Sequence, residues 1–190
     1  MYKGFWQPVK PDWLYACGEF GAEGLDPLNV MQKYYPREWL PASKEEEKSW
    51  NANRIAMSQT HRFHYMWYNT QHSLQDWINT SQDYQAWAVK FVTETFRRDP
   101  HMVSFAVHLF IDAWPAGWMK SIMDVDRQPK KAIFPYRNAL EPLMVSNRSD
   151  RRHFFTNEQT AFEFWICNDR KSVPDGCVLK YQIEKHLQTK

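Results

Sequence analysis

A long amphipathic segment in the middle of the chain constrains the fold most. Apolar side chains recur at helical spacing along it and would form one face of a helix. Ser73, with Asp76 three residues later, is typical of a helix start, and Pro100 is expected to end the helix after two arginines. The predicted buried face comprises Leu74, Trp77, Ile78, Ser81, Tyr84, Ala88, Phe91, Val92 and Thr95.

Two short apolar runs flank this predicted helix. Residues 13–17 form the first run, and residues 103–111 form the second, in which nearly every side chain is apolar. Such a run is typical of a parallel strand that is buried on both faces, and His108 within it is predicted to be a core residue. A strand, a helix and a second strand in this order predict a βαβ unit with a right-handed crossover.

The pattern changes from α/β to β near residue 143. Before it, further helices are predicted at residues 26–33, capped by Asp26, and at residues 130–141. After it come short β runs at residues 143–148, 160–166 and 178–184. We therefore predict an α/β domain over residues 1–142 and the first strands of an antiparallel β domain over residues 143–190.

The predicted strands are too few for either fold to be complete. A (β/α)8 barrel has eight strands and at least about 200 residues, and an immunoglobulin-like sandwich has about seven strands. The economical explanation is that the 190 residues are a piece of a longer protein. That piece would hold the last βα units of a barrel and an incomplete antiparallel β-sandwich segment.

Composition narrows the class of protein. Hydrophobic residues make up 43% of the chain and charged residues 24%, as in folded globular proteins. The net charge of +2 is too small to indicate nucleic acid as the main partner. The sequence also has no apolar run of about 20 residues, the length that spans a membrane. Three cysteines, an odd number, argue against a disulfide framework. The 16% aromatic content fits either an aromatic core or a surface that stacks on sugar rings.

Acidic side chains follow both predicted parallel strands. Glu19 lies between Gly18 and Gly21, and Asp112 opens an aromatic loop that contains Trp114. Because parallel strands end at the same edge of a sheet, both carboxylates are expected at the edge where barrel enzymes place their sites. The alternative for Glu19 is a structural carboxylate bonded to backbone or to an arginine.

Three stretches in this order resemble glycoside hydrolases of family two, the group of β-galactosidases, β-glucuronidases and β-mannosidases. They are residues 17–21 (Cys-Gly-Glu-Phe-Gly), residues 103–114, and residues 126–130 (Asp-Arg-Gln-Pro-Lys) before a helix. The resemblance implies the end of the family's catalytic barrel followed by its sandwich domain. It also implies retaining hydrolysis of β-glycosidic bonds without a cofactor, with a carbohydrate as the substrate.

The resemblance assigns roles to particular residues. Glu19 matches the nucleophile, Trp114 matches an aromatic residue that contacts the sugar, and Asp112 is placed to accept a sugar hydroxyl. Some β-galactosidases carry a histidine three positions after the nucleophile. Here that position holds Ala22, and Glu23 follows it as an expected substrate contact.

The second carboxyl group of the mechanism is missing. In the family the acid/base is a glutamate after an asparagine on an earlier strand, and the only such pair here, Asn157–Glu158, lies in a predicted polar turn. We therefore expect the isolated chain to be inactive. The alternatives are a carbohydrate-binding or scaffold piece, one half of a split glycosidase completed by another chain, or a homo-oligomer.

One pair of histidines offers a separate candidate. His61 and His64 have the spacing of neighbours on a helical turn, but no acidic or cysteine ligand accompanies them. A zinc site needs three or four ligands, so no metal is predicted. His61 is instead expected to pack among aromatic residues and to reach a sugar hydroxyl.

Overall fold

The computed structural model describes residues 12–55, 66–115, 117–148, 154–172 and 175–182. Its strands are β1 (Tyr15–Phe20), β2 (Met102–Val107), β3 (Leu143–Arg148) and β4 (Glu163–Asn168). Its α-helices are α1 (Leu28–Tyr34), α2 (Lys44–Glu47), α3 (Leu74–Arg98) and α4 (Ile133–Ala139). Short 3₁₀ turns cover Arg37–Trp39 and Ala52–Arg54. Among the described residues, no helix is both long and apolar enough to cross a membrane.

The predicted βαβ unit is confirmed. β1 and β2 pair in parallel, with Cys17 opposite Phe105 and Phe20 opposite Val107, and α3 connects them. Both strands are displaced from their predicted bounds. β2 ends at Val107, since the chain beyond it turns away and pairs Ile111 with Met123 instead.

The prediction that the second strand is buried on both faces is wrong for the described residues. Val103 is 61% exposed, and Ser104 and Ala106 are also exposed. The faces of a parallel sheet are buried by packed helices or by the rest of a barrel, and within the described residues this sheet holds only β1 and β2. Phe105 packs instead on Phe96 of α3, with ring centroids 5.4 Å apart.

The structure confirms α3 and its start. The Ser73 hydroxyl accepts a hydrogen bond from the Asp76 amide at 3.1 Å, which satisfies one of the free N–H groups of the first turn. The buried face differs from the predicted one. Tyr84, Phe91 and Val92 are partly exposed, and the buried positions include Gln82, Gln85 and Glu94.

The core lies mainly between α3 and the segments before it. Its largest cluster surrounds the fully buried Trp77, whose ring meets that of Trp50 at 6.1 Å. α1 packs there through Met31. The prediction that Asp26 caps α1 is wrong, because its carboxylate accepts a 2.7 Å hydrogen bond from the Tyr35 hydroxyl and the helix has no side-chain cap.

The chain after residue 142 forms an antiparallel hairpin in which β3 pairs with β4. Residues 178–182 contain no strand, although one was predicted at residues 178–184, and residues 183 and 184 lie outside the described part. The hairpin packs on the end of α3, where Ser146 donates to the Glu94 carboxylate at 2.8 Å and accepts from Arg98. The described residues contain neither a closed barrel nor a sandwich.

Candidate functional site

Glu19 lies near the end of β1, as predicted, and its side chain is exposed. It lines a cleft of about 250 Å³ with Phe20, Gly21, His108 and Lys120. The cleft therefore combines a carboxylate, an imidazole and an ammonium group at the C-terminal end of the two parallel strands.

The cleft exists because two backbone segments approach closely. The His108 amide donates to the carbonyl of Phe20, the last residue of β1, at 2.8 Å and continues the pairing one residue beyond the end of β2. A Cβ atom at Gly21 would lie 2.2 Å from the His108 carbonyl oxygen, so only glycine fits this position. The prediction that His108 is a core residue is wrong, because the residue is partly exposed and borders the cleft.

Lys120 is the cleft residue that sequence reasoning missed. Its ammonium group lies 4.8 Å from the centre of the Trp118 ring, and His108 meets the same ring edge-on at 5.0 Å. Trp118 thus fixes both basic side chains through a cation–π contact and an edge-to-face contact. Lys120 follows Met119, whose positive φ of 62° turns the chain in a way that no sequence period signals.

Asp112 is buried, and it is not among the cleft-lining residues. The Ser121 hydroxyl donates to its carboxylate at 2.7 Å. Burial raises the pKa of Asp112 above its usual range, and the Ser121 hydrogen bond opposes part of that rise. Trp114, two residues further, is 67% exposed and offers a free indole face.

Glu23, in the loop that follows β1, is also buried, at 2% exposure. Asp26, Asp124 and Lys130 are buried as well. The Lys130 ammonium group lies 3.4 Å from an Asp26 oxygen. Burial raises the pKa of Tyr35, and the nearby Asp26 carboxylate raises it further. These acidic residues are therefore buried rather than part of the cleft lining.

The remaining candidates lie elsewhere. His61 is outside the described residues. Glu158 lies in a turn, as predicted, and its carboxylate accepts from the Phe155 amide at 3.0 Å. Among the described residues, no group of three or more histidine, cysteine or acidic side chains could hold a metal ion.

Comparison with known proteins gives one kind of match. No protein-family model matches the sequence, and neither does any curated protein. Among solved structures, the chain is similar to a β-D-mannosidase from Dictyoglomus thermophilum, with a TM-score of 0.53 and 20% identity. The similarity covers 70% of this chain but 16% of the mannosidase chain. The chain therefore has a mixed α/β fold that it shares with part of a glycosidase.

Proposed function

We propose that this chain is a fragment of a retaining β-glycosidase in which Glu19 is the nucleophile. The observation that carries the proposal is the exposed Glu19 carboxylate at the C-terminal end of a parallel strand, in a fold shared with part of a β-mannosidase. In this mechanism the carboxylate attacks the anomeric carbon, the bond to the leaving-group oxygen breaks, and a covalent glycosyl ester forms. Water then hydrolyses that ester.

The proposed chemistry also needs a proton donor. A second carboxyl group about 5–5.5 Å from the nucleophile protonates the leaving group and later activates the water. The described residues place His108 and Lys120, but no second carboxyl group, on the cleft beside Glu19. Loss of the acid/base alone lowers rates by about 10²–10⁴. We therefore expect no turnover of ordinary aryl β-glycosides by this chain.

Four further residues are proposed substrate contacts. Trp114 presents an exposed indole on which the apolar face of a sugar ring could stack. Asp112 and Glu23 lie beneath the surface, so a direct contact from either one requires the surrounding loops to open. His61 completes the set as a hydroxyl contact.

A probe with a good leaving group tests the role of Glu19 without the acid/base. The full chain is incubated with 2-deoxy-2-fluoro-β-glycosyl fluorides of the manno, galacto and glucurono series, whose fluoride leaves without protonation. We expect slow addition of one fluorosugar, mapped by peptide mass spectrometry to Glu19. Glu19→Gln should remove the label, and Glu163→Gln, which changes an exposed glutamate of β4, should keep it. A label elsewhere, or none with any series, contradicts the proposal.

A second candidate is a non-catalytic carbohydrate-binding piece, which the exposed ring of Trp114 favours. This function predicts that monosaccharides quench tryptophan fluorescence reversibly while no fluorosugar bonds to Glu19. Trp114→Ala should then abolish the quenching, and Glu19→Gln should leave it unchanged.

A third candidate is one half of a split glycosidase, which the exposed sheet of β1 and β2 favours. A complementary chain would add strands at its open edges and supply the acid/base. Mixing this chain with a polypeptide that holds the preceding βα units would then produce turnover that neither has alone.

A further inference from the structure

We propose that Gln85 is a positioning residue that holds the two loops of the Glu19 cleft by donating to their carbonyl oxygens. The first cleft loop comprises residues 21–26, and the second cleft loop comprises residues 117–121. The inference rests on the proposed role of Glu19, because it assigns this side chain the task of fixing the geometry around that carboxylate.

Gln85 projects from the buried face of α3 and is completely buried. Its Nε2 lies 2.9 Å from the Ala22 carbonyl oxygen, in the first cleft loop. The same nitrogen lies 3.0 Å from the Ser121 oxygen and 3.2 Å from the Lys120 oxygen, in the second cleft loop. One amide nitrogen therefore bridges both loops, directly behind Lys120.

Lys130 makes a second bridge between the same two loops. Its side chain is completely buried, with Nζ 2.6 Å from the Gly24 carbonyl oxygen and 3.2 Å from the Met119 oxygen. Within the described residues, one direct backbone hydrogen bond joins the two cleft loops, from the Gly24 amide to the Met119 oxygen at 3.0 Å.

The Met119 and Lys120 oxygens also accept backbone amides, from Gly24 and Leu109, but within the described residues the side-chain donors are the partners of the other carbonyl groups. A buried carbonyl group that loses its partner is destabilising, and neither loop belongs to a strand ladder that could replace the bond. The first cleft loop is also fitted to the glutamine, since a Cβ atom at Gly24 would lie 2.7 Å from Gln85 Oε1. Gly21 and Lys120, which line the cleft, are carried by these loops.

Two variants of Gln85 and a matched control test the inference in the full chain. Gln85→Met keeps the length of the side chain and removes its donors. Gln82→Met is the control, one turn earlier on α3, where the Gln82 amide donates to the Leu25 oxygen at 2.8 Å and does not reach the second cleft loop. Amide hydrogen exchange is measured on peptides covering both cleft loops.

For Gln85→Met we expect exchange to accelerate by about tenfold in both cleft loops while the rest of α3 stays protected. Labelling of Glu19 by the fluorosugar fluoride should slow by about 10²-fold, because small displacements of reacting groups have effects of that size. Because Gln82 itself binds the Leu25 oxygen of the first cleft loop, the second cleft loop is where the two variants should differ. Unchanged exchange in the cleft loops, equal acceleration of the second cleft loop in the Gln82→Met control, or accelerated exchange with unchanged labelling would each overturn the inference.

Gln85→Glu tests whether the side chain at position 85 acts as a hydrogen-bond donor. A side chain that only fills space would not make the protection of the cleft loops depend on pH. Above its pKa the new carboxylate faces carbonyl oxygens and repels them, whereas the protonated form regains one O–H donor. Protection factors in both cleft loops should therefore be low at pH 7 and rise as the pH falls towards about 5. A pH-independent protection factor would count against a donor role. If the unaltered chain takes no label, the role of Glu19 fails, and the exchange data still decide the role of Gln85.

Discussion

At the scale of single residues, burial separates the acidic candidates that the sequence grouped together. Glu19 is exposed on the cleft, whereas Asp112 and Glu23 are buried and do not line it. Asp112 is accommodated there through the Ser121 hydroxyl, and burial still raises the pKa of its carboxyl group. The folded structure therefore disfavours the charged form of Asp112.

The raised pKa of Asp112 gives a pH-dependent prediction. Its ordinary value is 3.8, so between that value and the higher folded-state pKa the folded chain binds more protons than the unfolded chain. The contribution of Asp112 to the free energy of unfolding should therefore decline as the pH rises above about 4. Asp112→Asn removes this titration and can still accept from Ser121, so its stability relative to the unaltered chain should improve with pH.

Urea unfolding from pH 4 to pH 7 measures this difference. Asp175→Asn, at an exposed turn, is the control and should follow the unaltered chain at every pH. A constant difference between Asp112→Asn and the unaltered chain would mean that Asp112 does not titrate differently in the folded state.

At the scale of elements, α3 organises the described chain. Its apolar side packs on the main core through Trp77 and Ile78, and its polar side binds loops through Gln82 and Gln85. Its last turn joins the β3–β4 hairpin through Arg97. This guanidinium group donates to the Ala139 oxygen at 2.8 Å and to the Glu141 oxygen at 2.6 Å, and it pairs with the Asp169 carboxylate at 2.7 Å.

Arg97→Met should therefore destabilise the junction of α3, α4 and the hairpin. The Arg97 side chain is only 6% exposed, and its removal leaves two carbonyl oxygens without their charged donor. Hydrogen bonds to charged groups contribute about 1.5–3 kcal/mol, so we expect a loss of about 2 kcal/mol in the free energy of unfolding. Urea denaturation measures this loss. The control is Arg170→Met, which changes an exposed arginine next to Asp169. Equal stability of both variants would show that the junction does not depend on Arg97.

At the scale of the whole molecule, the described chain exposes surfaces that folded proteins usually cover. β1 and β2 form a two-stranded parallel sheet with open edges, and Val103 on it is 61% exposed. On the outer face of the hairpin, Phe164 and Ile166 are 45% and 59% exposed. Open strand edges and apolar sheet faces are templates for association with further strands.

We therefore expect the isolated chain to associate as its concentration rises. Val103→Lys places a charge on the open parallel sheet and should raise the concentration at which association begins by about tenfold. Val178→Lys is the matched control, because Val178 is 75% exposed but belongs to neither sheet. Sedimentation velocity over a concentration series makes the measurement. A monomer at all concentrations, or equal effects of the two lysines, would contradict the expectation.

The sequence by itself determined the features that depend on neighbouring residues. The Ser73 cap, the span of α3 and the parallel strands on either side of it follow from spacing, capping and apolar runs within short windows. The position of Glu19 near a strand end is predictable for the same reason, because it follows directly from the short apolar run before it. These features are predictable because helix and strand periods repeat within a few residues.

Only the tertiary structure decided which side chains share the cleft and which are buried away from solvent. His108 and Lys120 join Glu19 because Gly21 lets two backbone segments meet, and no periodic pattern marks that approach. Gln85 contacts the Ala22 oxygen across 63 positions of sequence and the Ser121 oxygen across 36. Every residue has a backbone carbonyl group, so the amino-acid sequence does not indicate which of them Gln85 binds. The path of the folded chain alone determines which carbonyl groups lie within its reach.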